Sequence, residues 1–289
     1  MPASPSVPAS TPASSLGERA MVQVDGIEVA TYELAADRGA AGTVVMCHGT
    51  PWQAQVWAPV AHALAQRYRV LLWDMPGYGH STMDPEVPVD LCSQMSRFRA
   101  LLDHWNLDRP HVVAHDIGGA VALGAHLLHH ADYASLHLWD IVTLEPWGSP
   151  FFSLVAENAE VFCRLPPRLH RALVREYIAG AAHGRLPEFE LDMLAAPWTT
   201  DRGQAALYRQ MAALAPEHTR PLAASLGEVR CRVTLGWGEQ DPWIPIEQAH
   251  RLREALPGKP ALTSVPNTGH LVPLERPDAV AAALLSGLP

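Results

Sequence analysis

The run His111-Val-Val-Ala-His-Asp-Ile-Gly-Gly-Ala-Val-Ala-Leu123 constrains the fold of this chain more than any other stretch. It opens on a short apolar segment, His111 to Ala114, that reads as a buried strand. It continues into a helix of small residues: Gly118, Gly119, Ala120, Ala122 and Gly124. Between the two stands Asp116. A strand that passes directly into a helix turns so sharply that bulky neighbours collide with backbone, which accounts for the small residues. A side chain at the apex of such a turn is pushed out at the top of the sheet. Here that side chain is a carboxylate set among Val, Ala and Ile, and a bare buried charge is costly unless partnered or put to use.

The flanking sequence supplies a sheet for this turn. Thr43–Cys47, Tyr68–Trp73, Ser135–Val142, Val229–Trp237 and Ala261–Val265 are apolar runs of strand length. Helical patterns fall between or after them, at 56–66, 90–105, 246–255 and 277–286. Continuous apolar strands alternating with helices predict an α/β fold with a mostly parallel, doubly wound sheet. Met21 to Leu34 alternates apolar and polar residues about Asp25-Gly26, which predicts a hairpin at its edge. From about Glu145 to Leu222 strand-like runs vanish and prolines recur, at 146, 150, 166, 167, 187, 197, 216 and 221. That stretch reads as an inserted helical lid. The expected organisation is a disordered Pro/Ala/Ser leader at 1–18, a core at 19–144 and 223–289, and a lid at 145–222.

Composition narrows the function. A chain of 289 residues with 48% hydrophobic content can bury one sizeable core. A net charge of −9 gives no electrostatic reason to bind nucleic acid or an anionic membrane. No apolar run is long enough for a membrane span, and the leader lacks the basic and apolar regions of a signal peptide. A cytoplasmic location is expected. The four cysteines form no CxxC pair, so neither a zinc site nor a disulfide framework is indicated. His126, His129 and His130 look like a metal cluster but read as a solvated helix face.

Five motifs, each at the end of an expected strand, resemble the α/β-hydrolase superfamily from about residue 20 onward. They are His48-Gly-Thr-Pro51, Asp74-Met-Pro-Gly-Tyr-Gly-His-Ser81, Ala114-His-Asp-Ile-Gly-Gly119, Gly236-Trp-Gly-Glu-Gln-Asp-Pro-Trp-Ile-Pro245 and Asn267-Thr-Gly-His270. The resemblance implies the chain order nucleophile, acid, histidine, which Asp116, Asp241 and His270 follow. Asp140, near the end of the strand after the elbow helix, is the alternative acid, with Glu145 nearby. No Gly-x-Ser-x-Gly stands between a strand and a helix, so the serine branch is disfavoured.

Aspartate at the elbow changes the chemistry. A free carboxylate titrates at about 4, so it is ionised at neutral pH and needs no base to attack. Displacement at an sp³ carbon gives an alkyl ester of the protein. A histidine then activates water against that ester, and a second acid fixes the ring's tautomer. Backbone N–H groups of Ile117 and, by resemblance, Thr50 would hold the oxyanion, with His48 and Gly49 of the same loop counted among the oxyanion residues.

The aspartate-nucleophile relatives are epoxide hydrolases and haloalkane dehalogenases. The former use lid tyrosines as acids. By that resemblance Tyr208, in Leu-Tyr-Arg-Gln, is the first candidate, and Tyr177 the second. Dehalogenases usually carry Trp after the nucleophile and Asn in the oxyanion loop, where this chain has Ile117 and Thr50. Lid aromatics predict an apolar pocket involving Trp52, Trp147, Phe151, Phe152, Tyr177 and Trp198. The expectation is an epoxide hydrolase for a small apolar organic substrate. It needs no metal or organic cofactor and works as a monomer or homodimer. The alternatives are a dehalogenase or an altered member that binds or converts a biosynthetic intermediate.

Overall fold

The structure, a computed structural model, describes residues 15–37 and 39–289. Among these, eight strands form one sheet: β1 (Arg19–Val24), β2 (Ile27–Leu34), β3 (Thr43–Cys47), β4 (Arg69–Trp73), β5 (His111–His115), β6 (Ser135–Trp139), β7 (Arg232–Gly238) and β8 (Ala261–Val265). Their order is β1-β2-β4-β3-β5-β6-β7-β8. The hairpin forms as expected, with Val22 opposite Val29. Asp25 and Gly26 turn it at φ of 51° and 74°, the two positive angles that match the twist of the flanking strands. β2 joins β4 antiparallel, and every later pairing is parallel.

The core helices are α1 (Ala58–Ala65), α2 (Leu91–His104) and α3 (Ile117–Leu127). Asp90 caps α2, its carboxylate accepting from the Ser93 N–H at 3.0 Å, as its place ahead of an amphipathic run predicts. From β3 the chain steps to β4 on one side, then returns across β3 to β5 and on to β6. Right-handed crossovers therefore put α1 on one face and α2 and α3 on the other. The carboxyl ends of β3 and β5 straddle the reversal, where open α/β sheets leave a crevice. Two of the motifs, His48–Pro51 and Ala114–Gly119, lie at those ends.

Six helices fill the region between β6 and β7: α4 (Pro150–Glu157), α5 (Ala159–Cys163), α6 (Pro167–Ala179), α7 (Glu188–Ala195), α8 (Asp201–Ala213) and α9 (Arg220–Ser225). The chain closes with α10 (Glu247–Ala255), α11 (Val272–Glu275) and α12 (Pro277–Gly287), the last packed on α1. Residues 1–14 of the expected leader lie outside the described residues, whereas Leu16 is buried in the core. His126 departs from the solvated face expected of it. It is buried, with Nδ1 at 2.6 Å from the Ala131 carbonyl and Nε2 accepting from the Arg230 N–H. No helix among the described residues is long and apolar enough to cross a membrane.

Candidate active site

Asp116 sits on the turn between β5 and α3 with φ 53° and ψ −128°. A non-glycine residue held there stores strain of about 1–3 kcal/mol, which persists only where the surroundings fix it. They do: its N–H donates to the Trp139 carbonyl, and its carbonyl accepts from Gly119 and Val142. The neighbouring glycines have a steric reason. A Cβ on Gly118 would stand 2.4 Å from the His48 carbonyl oxygen, and one on Gly49 would stand 2.3 Å from the Asp116 Cβ. The loop after β3 therefore lies directly on the Asp116 side chain. That contact brings the Thr50 N–H to Oδ1 of Asp116 at 2.6 Å.

The other oxygen, Oδ2, lies 3.4 Å from Nε2 of His270. Nδ1 of His270 lies 2.8 Å from Oδ2 of Asp241. Asp241 is held in turn, its Oδ1 accepting from the N–H groups of Trp243 at 2.7 Å and Ile244 at 2.9 Å. The loop carrying His270 is pinned on both sides: its N–H donates to the Ala181 carbonyl, and its carbonyl accepts from Nε2 of His115 at 2.8 Å. Burial works to lower the His270 pKa. The charges and hydrogen bonds of Asp241 and Asp116 outweigh it, so the ring titrates well above the ordinary histidine range. Between the two candidate acids, Asp241 is the one hydrogen-bonded to His270; Asp140 lies behind it.

The expected oxyanion residues separate into two roles. Thr50 and Ile117 line the cavity above Asp116. His48 does not act as a donor to it: Nδ1 bonds the Gly49 carbonyl at 2.7 Å and Nε2 accepts from the Met75 N–H at 2.9 Å. Both ring nitrogens are thus committed to tying the loop after β3 to the loop after β4. Gly49 contributes its missing side chain.

Tyr208 is not brought to the site. Its hydroxyl lies 2.7 Å from Nδ1 of His170 inside the lid, and its ring packs on Phe162. Tyr177 takes the place expected of it, lining the cavity with Asp116. Burial and then the charge of Asp116 push its phenol well above the usual tyrosine range, so it stays protonated. Trp147 and Phe152 also line the cavity. Trp52, Phe151 and Trp198 do not. Trp198 donates to the Pro51 carbonyl at 2.8 Å, Phe151 packs against Tyr177 and Phe162, and Trp52 stacks behind Trp243.

The remaining wall was not read from the sequence: Val142, Gly148, Ser149, Leu214, Trp243 and Ile244. Trp243 and Ile244 follow Asp241 by two and three residues, a proximity that marks them in retrospect. The free volume is about 40 Å³, enough for only a few water molecules. Among the described residues no Lys or Arg lines it.

The family model described as the alpha/beta hydrolase family matches residues 44–283. A solved alpha/beta hydrolase fold protein from Burkholderia ambifaria is 39% identical and superposes with a TM-score of 0.88, over 94% of this chain and 98% of that one. A 2-hydroxy-6-oxononadienedioate/2-hydroxy-6-oxononatrienedioate hydrolase from Cupriavidus pinatubonensis is 29% identical over 76% of this chain and 78% of its own length. Haloalkane dehalogenase 2 from Mycobacterium bovis is 24% identical over 86% and 88%.

Proposed function

This chain belongs to the alpha/beta hydrolase family, and from that premise we propose that it hydrolyses small, neutral, apolar epoxides through a covalent ester of Asp116. The observation that carries the covalent reading is the division of labour between the two carboxylate oxygens. Oδ1 already accepts the Thr50 N–H at 2.6 Å, while Oδ2 accepts from no backbone N–H among the described residues and lies 3.4 Å from Nε2 of His270. Oδ2 attacks the epoxide carbon and the C–O bond opens. The alkoxide takes its proton from the Tyr177 hydroxyl, which lines the same cavity. His270 restores the phenol's proton, because esterification removes one of the two carboxylates that kept the imidazole protonated.

The neutral ring then acts as a base toward water. Water adds to the ester carbonyl carbon, and the negative charge develops on Oδ1, where the Thr50 N–H is already in place. Collapse breaks the Cγ–Oδ2 bond; Oδ2 takes the remaining proton of the added water and leaves with the substrate as the second hydroxyl of the vicinal diol. Asp116 returns as a carboxylate and His270 as an imidazolium. Asp241 holds the ring's tautomer and balances its charge throughout. The cationless, mostly apolar wall favours neutral substrates over acids.

Hydrolytic dehalogenation is the second reading. It is favoured by the similarity to haloalkane dehalogenase 2. One experiment separates the two. His270→Ala, incubated with a short terminal epoxide or the bromoalkane of equal length, is analysed by intact mass and peptide mapping. An epoxide adduct on Asp116 is expected. An adduct from the bromoalkane alone shifts the assignment to dehalogenation, and a folded protein labelled by neither rules out the aspartyl ester.

A further inference from the structure

Asp140 takes no part in these steps, yet it is fully buried against them. It follows β6 at φ 47°, a left-handed angle that a non-glycine residue rarely adopts. Its Oδ1 accepts the Gly238 N–H at 2.8 Å. Its Oδ2 is buried without a donor among the described residues. The groups that face it are Asp241, His270 and the Gly238 backbone. Carboxylate atoms of Asp140 and Asp241 and a ring nitrogen of His270 lie within 4.8 Å of one another. Two buried carboxylate oxygens attract only with a proton between them.

We propose that Asp140 carries a proton and donates it to Asp241, making it a positioning residue: the acid behind His270 is a carboxyl–carboxylate pair bearing one negative charge. This rests on the role proposed for His270. A carboxylate has about four acceptor sites. The N–H groups of Trp243 and Ile244 and the His270 ring occupy three on Asp241, and the Asp140 hydroxyl supplies the fourth. The proton also relieves crowding, since an ionised Asp140 would bury a third carboxylate around a single imidazolium. Burial and then the charge of Asp241 both push the Asp140 carboxyl well above the usual carboxylate range. The pair titrates as a unit.

The shared proton weakens the pull of Asp241 on the imidazolium, and that sets the sign of the test. Asp140→Ala strips a donor from Asp241, so its full charge holds the imidazolium longer. Turnover falls, and the limb of the pH profile belonging to His270 moves to higher pH. Asp140→Asn restores a neutral donor of the same shape, and rescues both turnover and the position of the limb. If Asp140 were ionised, the Asn variant would delete a negative charge beside His270 and move the limb down by about one pH unit or more; that result overturns the proposal. An infrared spectrum of the wild-type protein gives an activity-independent answer. A protonated-carboxyl stretching band that persists at pH 7 and is lost in Asp140→Asn is expected. Its absence from the wild type refutes the shared proton even if neither variant folds. The band and the ring titration stand or fall separately from adduct formation on Asp116, so failure of the ester reading is distinguishable from failure here.

Discussion

At the scale of single residues, the site depends on contacts too close to tolerate a methyl group. Gly49→Ala places a Cβ 2.3 Å from the Asp116 Cβ. The loop after β3 must lift, taking the Thr50 N–H with it. The expected outcome is loss of turnover by about 10²-fold or more, the scale of removing one oxyanion donor, with the fold retained; steady-state kinetics beside a thermal melt checks this. The two lid tyrosines should also part company. Tyr177→Phe is expected to slow epoxide turnover by about 10²-fold or more while leaving halide release from a bromoalkane alone, since halide needs no proton. Tyr208→Phe, which breaks only the bond to His170, should leave epoxide turnover near wild type; equal losses in both variants would refute the assignment of Tyr177. The motif Leu-Tyr-Arg-Gln pointed to Tyr208 because a helical sequence shows that it has faces but not which face meets the sheet. Gln210, two residues on, takes the inward direction instead.

Gln210 matters at the scale of elements. It reaches from α8 in the lid to both core loops, its Oε1 accepting from the Thr50 hydroxyl at 3.1 Å and the Tyr78 hydroxyl at 2.6 Å. The lid and the loop after β3 are therefore one hydrogen-bonded unit. Gln210→Leu keeps the bulk and orphans two buried hydroxyls, so a stability loss of about 1–3 kcal/mol is expected. Turnover should fall with it, because Thr50 loses its lateral brace; denaturant melts and kinetics measured on the same preparation report the two effects. Such a bridge spans 160 positions of sequence and leaves no local trace. The strands do leave one. Val44-Val45-Met46 and Val112-Val113-Ala114 are apolar throughout because both sheet faces are covered. The elbow was legible for a different reason, since its glycines answer to specific backbone atoms. His48 was misread as an oxyanion residue because a motif shows proximity to a site and not which of its atoms are already engaged.

At the scale of the whole molecule, buried histidines set the acid limit of stability. Burial pulls His115 down to about 3, with the neighbouring His270 charge assisting, and it pulls His137 down to about 3. Both are neutral when folded and take up a proton when unfolded. The stability they retain above pH 6.5 is thus lost as pH falls toward 3, at about 1.4 kcal/mol per pH unit for each. His270 has the opposite sign: its raised pKa contributes stability that is present below 6.5 and lost as pH rises through its folded value. Urea midpoints should therefore fall steeply from pH 6.5 to 5, and a flat profile over that range would contradict the burial of a neutral His115 and His137. The chain order Asp116, Asp241, His270 and the sheet beneath it could be read from the sequence because each follows a strand. The chamber walls could not, since Val142, Leu214 and Trp243 meet only after the lid is folded down.

The small volume of that chamber, about 40 Å³, bears on the fate of the proposed ester as well as on what can form it. The acyl half of that ester is Asp116 itself, so any nucleophile that attacks its carbonyl releases the same diol and stays on the protein in its place. Water leaves a carboxylate that can act again, whereas an alcohol or amine would leave Asp116 capped. A chamber this small favours water over a bulkier nucleophile. The tight wall then protects the nucleophile, and enlarging it at Leu214 or Phe152 is the change that would let an alcohol cap Asp116 and stop turnover.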